Sequence, residues 1–149
     1  MVEFYNETDY DLNGKEFNDL VEFVLTRQQV DVRAECAISV VDLETITELH
    51  ERWLNEPGPT DVMSFPIDEI RPGFDLSTLE HPVLGDIVLC PAYAQIQADE
   101  QGHSLEDELL LLTVHSVLHI LGYDHQNAEQ RKIMFDLQRQ LLLEFLASQ

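Results

Sequence analysis

The stretch Ser104-Leu-Glu-Asp-Glu-Leu-Leu-Leu-Leu-Thr-Val-His115-Ser-Val-Leu-His119-Ile-Leu-Gly122-Tyr-Asp-His125 decides how this chain folds. Ser104, with Asp107 three residues on, is a capping-box-like helix start. Leu109 to Leu112, Val114, Val117, Leu118 and Leu121 then follow before Gly122, so apolar residues surround the helix almost completely. Such a helix is buried, and the rest of the chain must pack around it.

Three of the six histidines fall within this segment, in the pattern H-x3-H-x2-G-x2-H. Residues four apart on a helix share a face at about 5–6 Å between β-carbons, a separation at which two imidazoles can hold one metal ion. Gly122 can adopt the left-handed conformation that ends the helix and turns His125 back as a third nitrogen donor. Random placement of six histidines gives this triplet in about one sequence in a hundred. Imidazoles on an otherwise leucine, isoleucine and valine helix would cost desolvation energy unless something binds them.

His115, His119 and His125 are therefore expected to ligate one metal ion at the end of the central helix. Imidazole suits zinc best, with nickel, copper and iron as alternatives. No cysteine or fourth histidine stands nearby, and three protein ligands plus water is the arrangement of a hydrolytic zinc rather than a structural one. Zinc proteases of the H-E-x-x-H type keep a glutamate beside the first histidine as general base, but this position holds Ser116. Proton transfer then falls to metal-activated water or to a carboxylate such as Asp86 or Asp124. Asp124 also reads as a turn residue or as an orienter of a histidine.

Outward from this segment, residues 2 to 5 and 36 to 41 read as strands. Between them a helix from Lys15 to Gln29 carries Phe17, Leu20, Val21, Val24 and Leu25 on one face. Asp42 is an N-cap for a helix through Ile46, Leu49 and Trp53, stopping before Pro57-Gly58-Pro59. Val62 to Phe65 and Leu84 to Leu89 are further strands. Residues 67 to 83 lack periodicity and are expected to form a weakly ordered functional cover or mobile insert. Pro91 opens a helix to Gly102, and Asn127-Ala-Glu-Gln130 caps a last helix whose Ile133, Met134, Leu137, Leu141, Leu142 and Phe145 should pack inward. The expected fold is α+β: one metal-dependent hydrolase domain over residues 1–149, with a small mixed sheet of about four strands and about five helices.

The 149 residues include 8 basic and 29 acidic side chains, a formal net charge of −21, and 44% are hydrophobic. That composition excludes disorder and offers none of the basic surplus that marks a nucleic-acid binder. Cys36 and Cys90 read as small buried thiols. No basic leader or membrane-length apolar run is apparent, so a cytoplasmic protein with no membrane partner is expected. His50, His81 and His103 read as surface residues, Trp53 and Phe65 as core. Thr60 and Asp61 read as turn formers, and Arg131, Lys132 and Arg139 as a solvated helix face.

Three blocks closely resemble the YbeY family of bacterial metal-dependent endoribonucleases and rRNA maturation factors. They are His115-Ser-Val-Leu-His119-Ile-Leu-Gly122-Tyr-Asp-His125, similar to the family's H-G-x-L-H-x-x-G-Y-D-H, with Pro59-Thr-Asp-Val-Met-Ser-Phe-Pro66 and Leu84-Gly-Asp-Ile-Val-Leu89. The resemblance implies zinc on His115, His119 and His125, cleavage of single-stranded RNA, maturation of the 3′ end of 16S rRNA, and ribosome quality control. Ser116 stands where the family usually has glycine. Where the family often carries an arginine before its P-T-D block, this chain has Leu54, so that contact is either taken over by Arg52 or absent.

The charge of −21 opposes unaided RNA binding, which is driven by neutralising phosphates. Delivery by the small ribosomal subunit or a ribosomal protein is the favoured solution, over a locally positive cleft or bridging divalent cations. Two other readings remain: a non-catalytic metal-containing ribosome-assembly factor, and a zinc peptidase.

Overall fold

The computed structural model describes all 149 residues. Its four strands are β1 (Val2–Asn6), β2 (Glu35–Val40), β3 (Val62–Pro66) and β4 (Val83–Leu89), in the spatial order β1-β2-β4-β3. The first three in that order run parallel, and β3 pairs antiparallel with β4. The helices are α1 (Gly14–Arg27), α2 (Leu43–Leu54), α3 (Pro91–Gln101), α4 (Leu105–Ile120) and α5 (Ala128–Ala147). This is the α+β single-sheet architecture expected, with most element ends within one or two residues of the sequence reading.

The capping residues act as their chemistry requires. Asp42, Ser104 and Asn127 each accept a hydrogen bond from the backbone N–H three residues on, satisfying one of the orphan donors of a helix start. Pro91 sits in the first turn of α3, where its missing N–H costs nothing.

Helix α4 is the hub, touching α1, α3, α5, β3 and β4. Leu109, Leu110, Val114, Val117, Leu118, Ile120 and Leu121 are each at most 1% exposed. Each such side chain stabilises the fold by about 1.5–3 kcal/mol relative to leaving it in water. They join Phe17, Leu20 and Val24 of α1, Ile38 of β2, Ile87 and Leu89 of β4, and Phe145 of α5 in the main core.

The opposite face of the sheet carries a smaller cluster, in which Ile46 of α2 packs with Val41, Met63, Val88 and Cys90. Both cysteines are buried and free, and burial pushes the Cys36 thiol up to about 12.

Gly85 lets β3 and β4 approach closely. Its φ is +156°, and a β-carbon there would lie 2.3 Å from the Phe65 carbonyl oxygen.

Three expectations are corrected. Trp53 is 63% exposed: it lies near the C-terminal end of α2, beyond the cluster that buries Ile46, with its ring edge-on to Phe65. Ile133 is 54% exposed, because the inward face of α5 is set by Met134, Leu141, Leu142 and Phe145. Residues 67 to 82 form a pinned cover rather than a weakly ordered one. Ile70 and Leu76 enter the main core, Asp68 accepts from the Val83 N–H at 2.8 Å, and Arg33 donates to the Leu76 carbonyl at 2.6 Å.

Candidate metal centre

Between residues 108 and 121, only Leu111, His115 and His119 escape full burial. These positions are four apart, so α4 leaves a single row uncovered, and two histidines occupy its C-terminal part. After His119 the helix closes in a Schellman motif. The Gly122 N–H donates to the His119 carbonyl and the Tyr123 N–H to the Leu118 carbonyl, both at 3.0 Å. Gly122 has φ +105°, and the Arg71 side chain lies over it where a β-carbon would stand. Tyr123 donates its hydroxyl to Gln28 Oε1 at 2.7 Å, and Asp124 Oδ1 accepts from the His125 N–H at 2.8 Å.

This turn brings the three imidazoles together. Ring centroids are 6.5 Å apart for His115 and His119, 5.5 Å for His115 and His125, and 6.3 Å for His119 and His125. A tetrahedral zinc with Zn–N bonds of about 2.0–2.1 Å would hold such centroids roughly 5 Å apart. In their present orientations the rings do not bring three donors to single-ion distance. The separations exceed that spacing by about 0.5–1.5 Å. The donor chemistry, three imidazoles without a carboxylate among them, suits zinc, so in kind these residues fit the ion.

Burial pulls the His115 pKa below the ordinary histidine value, with His125 and His119 acting in the same direction. The Gln138 hydrogen bond and the nearby Asp61 charge oppose this without reversing it. A neutral imidazole, the form that ligates metals, is therefore favoured at His115.

Three contributors lay outside the sequence-predicted set. Gln138 Oε1 is 2.9 Å from His115 Nδ1. The Phe135 ring lies 6.0 Å, centroid to centroid, from both His115 and His125. Asp61, read as a turn former, does accept from the Val62 N–H at 2.7 Å, and its charge also reaches His115. Gln138 and Phe135 belong to no recognisable motif. Their only signal is the i, i+3 spacing that puts them on one side of α5.

Asp124 is brought to the histidine turn, where it acts as a turn former. Asp86 lies elsewhere. It projects from the face of β4 shared with Val88, lining a groove with Trp53 and Phe65, whereas α4 packs over the face carrying Ile87 and Leu89. Ser116 is 1% exposed and faces the interior. Arg52 and Leu54 are both exposed on α2.

Two other histidines are more engaged than a surface reading allows. His50 Nδ1 is 2.9 Å from the Gly58 carbonyl, and His103 Nε2 is 2.8 Å from the buried Glu108 carboxylate. His81 is exposed as expected.

Comparison with known proteins adds a family to this geometry. A family model described as Endoribonuclease YbeY matches residues 3–146. A Bifidobacterium animalis subsp. lactis protein named Endoribonuclease YbeY is 53% identical over 146 residues, covering 98% of this chain and 80% of that protein. One of the same name from Beutenbergia cavernae is 51% identical, covering 98% of this chain and 97% of the relative. The solution structure of TM1509 from Thermotoga maritima superposes with a TM-score of 0.68 at 25% identity, covering 99% of this chain and 91% of that one.

Proposed function

The chain belongs to the YbeY family of endoribonucleases, and from that premise we propose that it is a zinc-dependent hydrolase that cuts single-stranded rRNA. The proposed role is maturation of the 16S rRNA 3′ end together with ribosome quality control. Residues 1–149 would act as one metal-dependent hydrolase domain in the cytoplasm, on RNA presented by the small ribosomal subunit or a ribosomal protein. No helix is long and apolar enough to cross a membrane.

The observation that carries this reading is the convergence of His115, His119 and His125 at the one row of α4 left uncovered. Zinc held there would supply an activated water for attack on phosphorus and would stabilise the charge developing on the phosphate oxygens.

The chain's own residues supply the setting. His119 is exposed, so a strand of RNA can reach the centre from solvent. His115 is half-buried beside α5, and its burial favours the neutral ring. Asp61 places a carboxylate near His115 that opposes the close approach of uncompensated phosphate. The net charge of −21 adds to that barrier and favours delivery by a basic partner. A peptidase reading is disfavoured because position 116 is buried, so no general base can act from it.

The test is metal analysis of the purified protein, with cleavage of single-stranded RNA and of immature small subunits by wild type, His115→Ala and His119→Ala. One zinc per wild-type chain is expected, with preferred cleavage of subunit-bound RNA and a loss of at least about 100-fold in either variant. Equal cleavage of free oligonucleotides would remove the delivery argument. Zinc uptake with no cleavage of either substrate would favour a non-catalytic assembly factor.

A further inference from the structure

We propose that Gln138 is a positioning residue for the histidine centre: its amide oxygen keeps the His115 proton on Nδ1 and so leaves the Nε2 lone pair free for a metal ion. The inference rests on reading the three imidazoles as one donor set, and it explains what α5 contributes to that set.

Gln138 Oε1 lies 2.9 Å from His115 Nδ1. A neutral imidazole carries one proton, and the nitrogen opposite an acceptor is the one that holds it. With the amide oxygen facing Nδ1, the proton sits there and Nε2 is a free donor atom. Were the amide turned, its N–H2 would require Nδ1 to accept, and the proton would move to Nε2 and block it.

The helix that carries the amide is anchored. Met134 and Leu141, one turn away on either side, are 0% and 3% exposed and fix α5 against the core. Phe135, three residues before Gln138, sets its ring 6.0 Å, centroid to centroid, from both His115 and His125. Helix α5 thus presents an amide and a ring to the same centre. A neutral amide also makes His115 a less basic ligand than a carboxylate would.

The experiment compares wild type with Gln138→Leu and Gln138→Glu. Imidazole 15N NMR on metal-free protein at mildly alkaline pH reads which nitrogen of His115 carries the proton, and competition with a chelator reads zinc retention. Wild type and Gln138→Glu are expected to hold the proton on Nδ1, with zinc retention in Gln138→Glu equal to wild type or tighter. Gln138→Leu should lose that bias and retain zinc about 10–100-fold less well. Should Gln138→Leu fail to fold, Gln138→Asn withdraws the same amide by one methylene and is expected to weaken retention in the same sense.

A wild-type His115 protonated on Nε2 would overturn the proposal. So would a folded Gln138→Leu with unchanged tautomer and retention. Failure of wild type to take up zinc at all would defeat the metal reading itself, a result distinct from wild-type uptake that ignores Gln138.

Discussion

Arg71 Nε lies 2.7 Å from the point where a β-carbon on Gly122 would stand. The cover segment therefore rests on the turn that joins His119 to His125, and the absence of a side chain at 122 is what allows it. Two separate demands meet at this glycine, a φ of +105° and the space occupied by the Arg71 side chain.

Gly122→Ala should lower stability by about 1–3 kcal/mol and weaken metal retention, because strain and crowding both displace the turn. Gly102→Ala is the control. It also has positive φ, +74°, but opens onto empty space, so only the backbone cost of about 1 kcal/mol is expected. Chemical denaturation of both variants decides the matter; equal losses would show that contact with Arg71 carries no weight.

The bond from His103 to Glu108 predicts a stability defect at the opposite end of α4 from His119. Glu108 is 2% exposed, and His103 Nε2 at 2.8 Å is its partner. His103→Ala should cost about 1.5–3 kcal/mol, and the double variant with Glu108→Gln should recover part of it. Urea midpoints measure this, and a neutral His103→Ala would mean that water replaces the imidazole without penalty.

Glu16 gives the fold a pH dependence of defined sign. A hydrogen bond with Glu106, followed by burial and the charges of Glu106 and Asp107, raises its carboxyl to about 7, against an unfolded value of about 4.3. A raised folded-state value means the stabilising contribution is complete below the unfolded value and is lost as pH rises through about 7. Thermal midpoints of wild type should fall between mildly acidic and mildly alkaline buffer by more than those of Glu16→Gln. Parallel curves for the two proteins would assign the dependence elsewhere.

Metal removal should be visible in stability as well as in activity. Zinc at one hundred times its Kd stabilises the state that binds it by about 2.7 kcal/mol, which for a chain of this size is roughly 5–10 °C in Tm. A chelator should remove that increment from wild type and leave His115→Ala unchanged. A chelator shift of equal size in the variant would place the ion at other residues.

The central helix, its Ser104 start, its Gly122 end and the three histidines were legible because each is a local property. Capping, all-round apolarity and i, i+4 spacing need no knowledge of the rest of the chain. The caps at Asp42 and Asn127 were legible for the same reason.

What stayed hidden depends on which surfaces meet. Strand alternation places Asp86 opposite Ile87 but does not say which of the two faces α4 covers, and the register shift at Glu35/Cys36 complicates the count further. Apolar periodicity marked Trp53 as inward, yet α2 reaches past the cluster that would have buried it. Gln138 and Phe135 sit in a helix with no motif, and only the docking of α5 beside α4 gives them a role. The cover over residues 67 to 82 has no periodicity because its anchors are single contacts: Ile70, Leu76, Asp68 and the Arg33 guanidinium.

Because α4 is sealed from residue 108 onward except along the row of Leu111, His115 and His119, the axle of the interior and the bearer of two of the three clustered histidines are one helix. Interior substitutions will therefore mimic damage to the chemistry. Any screen for inactive variants will return core leucines beside histidines unless folding is scored in parallel.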